Sequence, residues 1–129
     1  IASGTTAVID HHASPHCISG SLREIKHSFE KTGLRGMTCY EVSGRNSGED
    51  EIKNGIDENV SFARMIDEEK SRDEWSGLVE ASVGGHAPFT ISNTGLSALK
   101  TALDTTKRGL HIHVGEGKYD ASWSHHHYG

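Results

Sequence analysis

Leu110-His111-Ile112-His113-Val114 is a five-residue run of apolar and β-favouring positions alternating with histidines, and it opens into Gly115-Glu116-Gly117. Read with a two-residue period, it is a strand that presents His111 and His113 on one face and releases Glu116 into the loop beyond its end. Three earlier runs share this form: Thr6–Asp10 leading into His11-His12, Gly36–Val42, and Gly77–Val83 leading into Gly84-Gly85-His86. Helical patterns fill the intervals. Ser21 and Glu24 stand in capping-box relation ahead of Leu22, Ile25 and Phe29, with Gly33 as terminator, which predicts a helix over 22–32. Val60, Ala63, Met65 and Ile66 predict a second over about 57–73, after a long Gly-, Asn- and acid-rich loop over 43–55. Leu96, Leu99 and Leu103 predict a third that stops before Gly109.

The strand centres near Val8, Cys39, Glu80 and Ile112 are 31, 41 and 32 residues apart, the spacing of successive βα units. Right-handed crossovers then produce a parallel sheet with its helices on one side. The fold class is α/β with four parallel βα-type units, which suits either a small open sheet or half of an eight-stranded barrel. His11, His12, Glu41, His86, His113 and Glu116 all fall at the C-terminal ends of these strands, where parallel α/β folds place their active sites.

Composition narrows the function classes. The 129 residues hold 18 acidic and 13 basic side chains, for a net charge of −5, and 33% are hydrophobic. No basic stripe is available to neutralise a row of phosphates, and no run of about 18 apolar residues could cross a bilayer, so neither nucleic acid nor membrane is expected as a partner. Cys17 and Cys39 lack C-x-x-C spacing, which fits a reduced, cytoplasmic setting and provides neither a disulfide framework nor a thiolate zinc signature. Cys17 is expected to be buried as a small hydrophobe.

His111-Ile-His113-Val-Gly-Glu116 resembles the fifth-strand motif of the amidohydrolase superfamily. Gly85-His86-Ala-Pro-Phe-Thr-Ile-Ser92 resembles the fourth-strand segment of its aminohydrolase branch, which includes guanine, cytosine and triazine deaminases, and Gly4–Asp10 is similar to that branch's second strand. Thr38–Ser43 followed by Gly55–Asn59 resembles the aminohydrolase group named SsnA. The resemblance runs from residue 4 to about 120, in register with strands two to five of a (β/α)8 barrel. It implies that residues 1–129 form a single partial barrel domain whose other parts, with the family's first-strand H-x-H, sixth-strand His and eighth-strand Asp, would lie outside the stretch. It further implies hydrolysis of C–N bonds through a zinc-activated water, with iron as the alternative metal, on an amino-substituted N-heterocycle or amidine-type small molecule. The intact enzyme could be a homo-oligomer.

On this resemblance His113 is the metal ligand, Glu116 the proton shuttle and His86 a contact to the substrate or its developing oxyanion. One imidazole cannot hold zinc alone, so the stretch by itself is expected to be inactive. His111, one layer deeper, is expected to be a supporting core histidine. His11 and His12 are candidates for lining the substrate pocket, and the His11/His12/His16/Cys17 group matches no zinc signature. Glu41 and Arg45 read equally as a pocket carboxylate with an anion clamp or as a solvated pair. The acidic stretches 48–51 and 67–73 read as wet helix faces, and His125–His127 as part of a polar helix start. A competing reading is a small stand-alone α/β module that binds a metal or a partner without catalysis.

Overall fold

The computed structural model describes residues 1–129. Strand β1 (Ala7–His12) is followed by helix α1 (Ser21–Thr32), β2 (Arg35–Val42), α2 (Glu49–Ser71), β3 (Val79–Ala81), β4 (Val83–Gly85), α3 (Asn93–Thr106), β5 (Leu110–Ile112) and α4 (Lys118–Tyr128). Every strand pairing is parallel. β1 runs beside β2 with Ala7 opposite Arg35 and His12 opposite Tyr40. β3 and β4 both lie along the other side of β2, and β5 follows β4 with Gly84 opposite His111. The single third strand expected from Gly77–Val83 is thus two short pieces broken at Ser82, whose N–H still donates to the Thr38 carbonyl at 3.0 Å.

Alternation sorts the side chains onto two faces. Tyr40, Val42, Val79, Ala81 and Val83 point toward the helices and are buried. They enter two clusters, one with Leu22, Phe62, Ala63 and Ile66, the other with Ile52, Ile56, Ile91, Leu99 and Ala102. The thin apolar content therefore suffices because it is concentrated in one layer between sheet and helices. Helix α2 spans both clusters and lies very close to the sheet: a Cβ on Gly55 would stand 3.0 Å from the Tyr40 ring. Asn59, fully buried on α2, ties the two layers by accepting from the Tyr40 N–H (2.8 Å) and donating to the Tyr40 carbonyl (2.9 Å).

Helix ends depart from the sequence expectations for identifiable reasons. α1 has no capping box; Gly20, at φ 81°, precedes it and the Ser21 hydroxyl is buried without a partner. Its N-terminus is instead held by Glu58 from α2, whose carboxylate accepts from Gly20 N–H (2.8 Å) and Leu22 N–H (3.0 Å). Gly33 does terminate the helix in the left-handed conformation. α2 begins at Glu49 and not near Asp57, so the expected long loop shrinks to a few residues. Glu51, read as part of a wet face, is buried and accepts from the N–H groups of Asn46 (2.7 Å) and Ser47 (2.9 Å), while Ile52 and Ile56 supply the apolar stripe for the added turns. β1 extends through His12, so both histidines are strand residues. His125–His127 occupy the last turn of α4, not a helix start.

Candidate active site

The face of the sheet turned away from the helices carries the histidines. By alternation and register, Ile9 and His11 on β1, Met37, Cys39 and Glu41 on β2, and His111 on β5 share it, with His113 following on the same side. The His113 N–H donates to the His86 carbonyl at 2.9 Å, and the His86 N–H to the Val42 carbonyl at 2.9 Å, so sheet-like bonding continues past the formal strand ends. These bonds bring four imidazoles from three strands together. The His11 ring centroid is 4.3 Å from His111 and 4.6 Å from His113, and His86 is 5.9 Å from His113.

Electrostatics disfavour the charged form at two of these rings. Burial, and then the adjacent His111, His113 and His86, push His11 from 6.5 down to about 4. Burial also holds His86 below its ordinary value, aided by the Arg45 charge and opposed by Glu41 and Glu116. Burial pushes the Cys39 thiol up to about 11. Both ring nitrogens of His11 and Nδ1 of His111 are buried without a hydrogen-bond partner, a costly arrangement unless something fills the space between them. A neutral imidazole such as His11 offers a free lone pair, which fits a transition metal. One atom each from His11, Glu41 and His113 lies within 4.8 Å of the others, as does one each from His11, Cys39 and His111.

The expected site residues are distributed unevenly. His11, His86 and His113 converge. Glu41 joins them, with Oε2 3.9 Å from His11 Nε2. Its other oxygen is paired with the half-exposed Arg45, whose Nε donates to the Ser43 hydroxyl at 2.9 Å. Glu41 is thus the more buried member of the pair and Arg45 the more exposed. Glu116 is exposed in the loop after β5, where its N–H donates to Asp120 at 3.1 Å, and its charge acts on His86. His12 was expected near the pocket, but alternation turns it to the opposite face, 3.0 Å from the Ser14 hydroxyl and edge-on to Tyr40. Cys17 is exposed, not buried. Sequence reasoning missed Cys39 as a possible donor, because its neighbours come from other strands and only the register opposite His11 reveals them.

The similarities agree with this geometry. The amidohydrolase family model matches residues 1–129. The 5-methylthioadenosine/S-adenosylhomocysteine deaminase of Caldanaerobacter subterraneus subsp. tengcongensis is 32% identical over 140 residues, covering 100% of this chain and 27% of that relative. The protein of the same description from Pelotomaculum thermopropionicum is 31% identical over 123 residues, covering 90% and 23%. Among solved structures, an adenosine deaminase from Xanthomonas campestris with bound zinc superposes with a TM-score of 0.66 at 19% identity, covering 97% of this chain and 26% of its own. A triazine hydrolase from Arthobacter aurescens superposes with a TM-score of 0.68 at 18% identity, covering 95% and 28%. The fold is therefore a partial (β/α)8 barrel of the amidohydrolase type, and the chain spans about a quarter of the length of the relatives it matches. With the family model matching from the first residue to the last, this chain belongs to the amidohydrolase family.

Proposed function

We propose that the chain forms one wall of the active site of a metal-dependent aminohydrolase that removes an amino group from an N-heterocyclic small molecule. The observation that supports this reading best is the convergence of His113, His86 and the Glu116 loop at the C-terminal edge of a parallel sheet, on the face free of helices. When bound, the metal acidifies a water and polarises the reacting centre. His113 supplies a neutral imidazole ligand. Glu116, on a flexible side chain just past the strand, takes a proton from the attacking water and returns it to the departing nitrogen.

His86 positions the substrate. The Thr90 hydroxyl donates to the Ala87 carbonyl at 2.9 Å, so its oxygen accepts from His86 Nδ1–H at 3.0 Å. That tautomer leaves the His86 Nε2 lone pair free, and a neutral His86 accepts a hydrogen bond from substrate in preference to stabilising an oxyanion. The 5-methylthioadenosine and S-adenosylhomocysteine named for the relatives, together with an aminotriazine, make the first substrate panel. Unpaired thiols at Cys17 and Cys39 suit a cytoplasmic setting.

The test is ammonia release by the full-length protein. Glu116→Gln is expected to lower kcat by about 10²–10⁴-fold with metal content unchanged, the range for loss of a general acid–base group. His113→Ala is expected to lower metal content and activity together. Full activity in Glu116→Gln would overturn the assignment.

A further inference from the structure

We propose that His11, Cys39 and His111 form a second metal site, a two-imidazole, one-thiolate site for a thiophilic divalent ion such as zinc or cobalt, one layer below His113. His11 and Cys39 are register partners on neighbouring strands, with side chains on the same face. His111 reaches them from β5 across β4, where it lies opposite Gly84. A Cβ at Gly84 would stand 2.7 Å from the Cys39 sulfur, so the missing side chain is what leaves the space between Cys39 and His111 open. One donor atom from each of the three lies within 4.8 Å of the others. A tetrahedral zinc with bonds of about 2.0–2.3 Å separates its ligands by roughly 3.3–3.8 Å, so about 1 Å of side-chain closure completes the set.

Saturation of polar groups points the same way. His11 Nδ1 and Nε2 and His111 Nδ1 are buried with no partner, and the Cys39 sulfur has a long 3.7 Å contact to the Asp10 carbonyl with the Ser82 side chain beside it. One nitrogen each from His11 and His111 thus shares a space with a buried sulfur, a set of donors that a metal ion satisfies. Cys39 binds as the thiolate, and its Sγ proton leaves to solvent as the metal–sulfur bond forms. The site uses neither Glu116 nor His113, so it stands independently of the deaminase reading.

The experiment is cobalt titration of the chelator-stripped full-length protein, followed by the near-ultraviolet thiolate-to-cobalt charge-transfer absorption. One band is expected, saturating at one ion per chain and retained in Cys17→Ser and His113→Ala. It is expected to disappear in Cys39→Ser and Cys39→Ala. His11→Gln and His111→Gln are expected to weaken cobalt binding by more than the roughly 10–100-fold lost when only a ligand's hydrogen-bond partner is removed. Absence of the band in the unsubstituted protein overturns the proposal without recourse to any variant, as does a band that survives Cys39→Ser or requires Cys17 or His113. Loss of deaminase activity with the band intact removes only the function proposed above; an active enzyme with no band removes only the second site.

Discussion

At pH 7 an imidazole held near 4, as His11 is, has no charge, and neither of its ring nitrogens has a hydrogen-bond partner. The cost of that neutrality appears in acid. An unfolded histidine takes up its proton near 6.5, whereas folded His11 refuses it until about pH 4. Between these values the unfolded chain binds the extra proton, so stability is lost as pH falls through the window and the loss is complete below it. His11→Gln is expected to flatten the dependence of the urea midpoint on pH between 6.5 and 4. His86 shifts in the same direction, so a residual slope remains. An unchanged slope in the variant would show that His11 is not the group responsible.

Helix α1 owes its start to a residue 36 positions away. Glu58 is buried and accepts from two N–H groups at the helix's N-terminal end, whereas Ser21, which the sequence places as a cap, has an unpartnered hydroxyl. Glu58→Ala leaves both donors unsatisfied and is expected to cost about 1–3 kcal/mol in urea unfolding. Ser21→Ala is expected to cost less than about 0.5 kcal/mol, in contrast to the roughly 1 kcal/mol of a true N-cap. The reverse ranking would restore the capping box. A similar long-range device stabilises α1 further along, where the buried Lys26 ammonium pairs with Glu30 at 2.7 Å and with Glu69 of α2 at 3.1 Å.

The sheet is covered on one face only. Its outer strands β1 and β5 each have a single neighbour. On the uncovered side Ile9 is 68% exposed and Met37 38%. Unpaired strand edges beside exposed apolar side chains favour pairing with further polypeptide. The 129-residue chain on its own is expected to self-associate at micromolar concentration in sedimentation velocity, and Ile9→Lys to shift it toward monomer. A sharp monomer peak for the unsubstituted chain, with a cooperative melt, would show that this face is content in water.

The local pattern of residues was enough to establish the parallel βα order, the positions of most strands and the helix stop at Gly33, because two-residue and 3.6-residue periodicities and glycine's access to positive φ act within a few residues of chain. That His86 and His113 stand at strand ends and Glu116 in the loop beyond was legible for the same reason, while the roles proposed for them came from the family resemblance. Long-range pairing decided the remainder. Which face His12 takes, that α2 begins at Glu49, that Glu58 caps α1 and that Cys39 meets His11 and His111 all depend on register and on packing between elements. Contacts between residues distant in sequence leave no local periodic trace, so only the folded arrangement of strands could assign those partners.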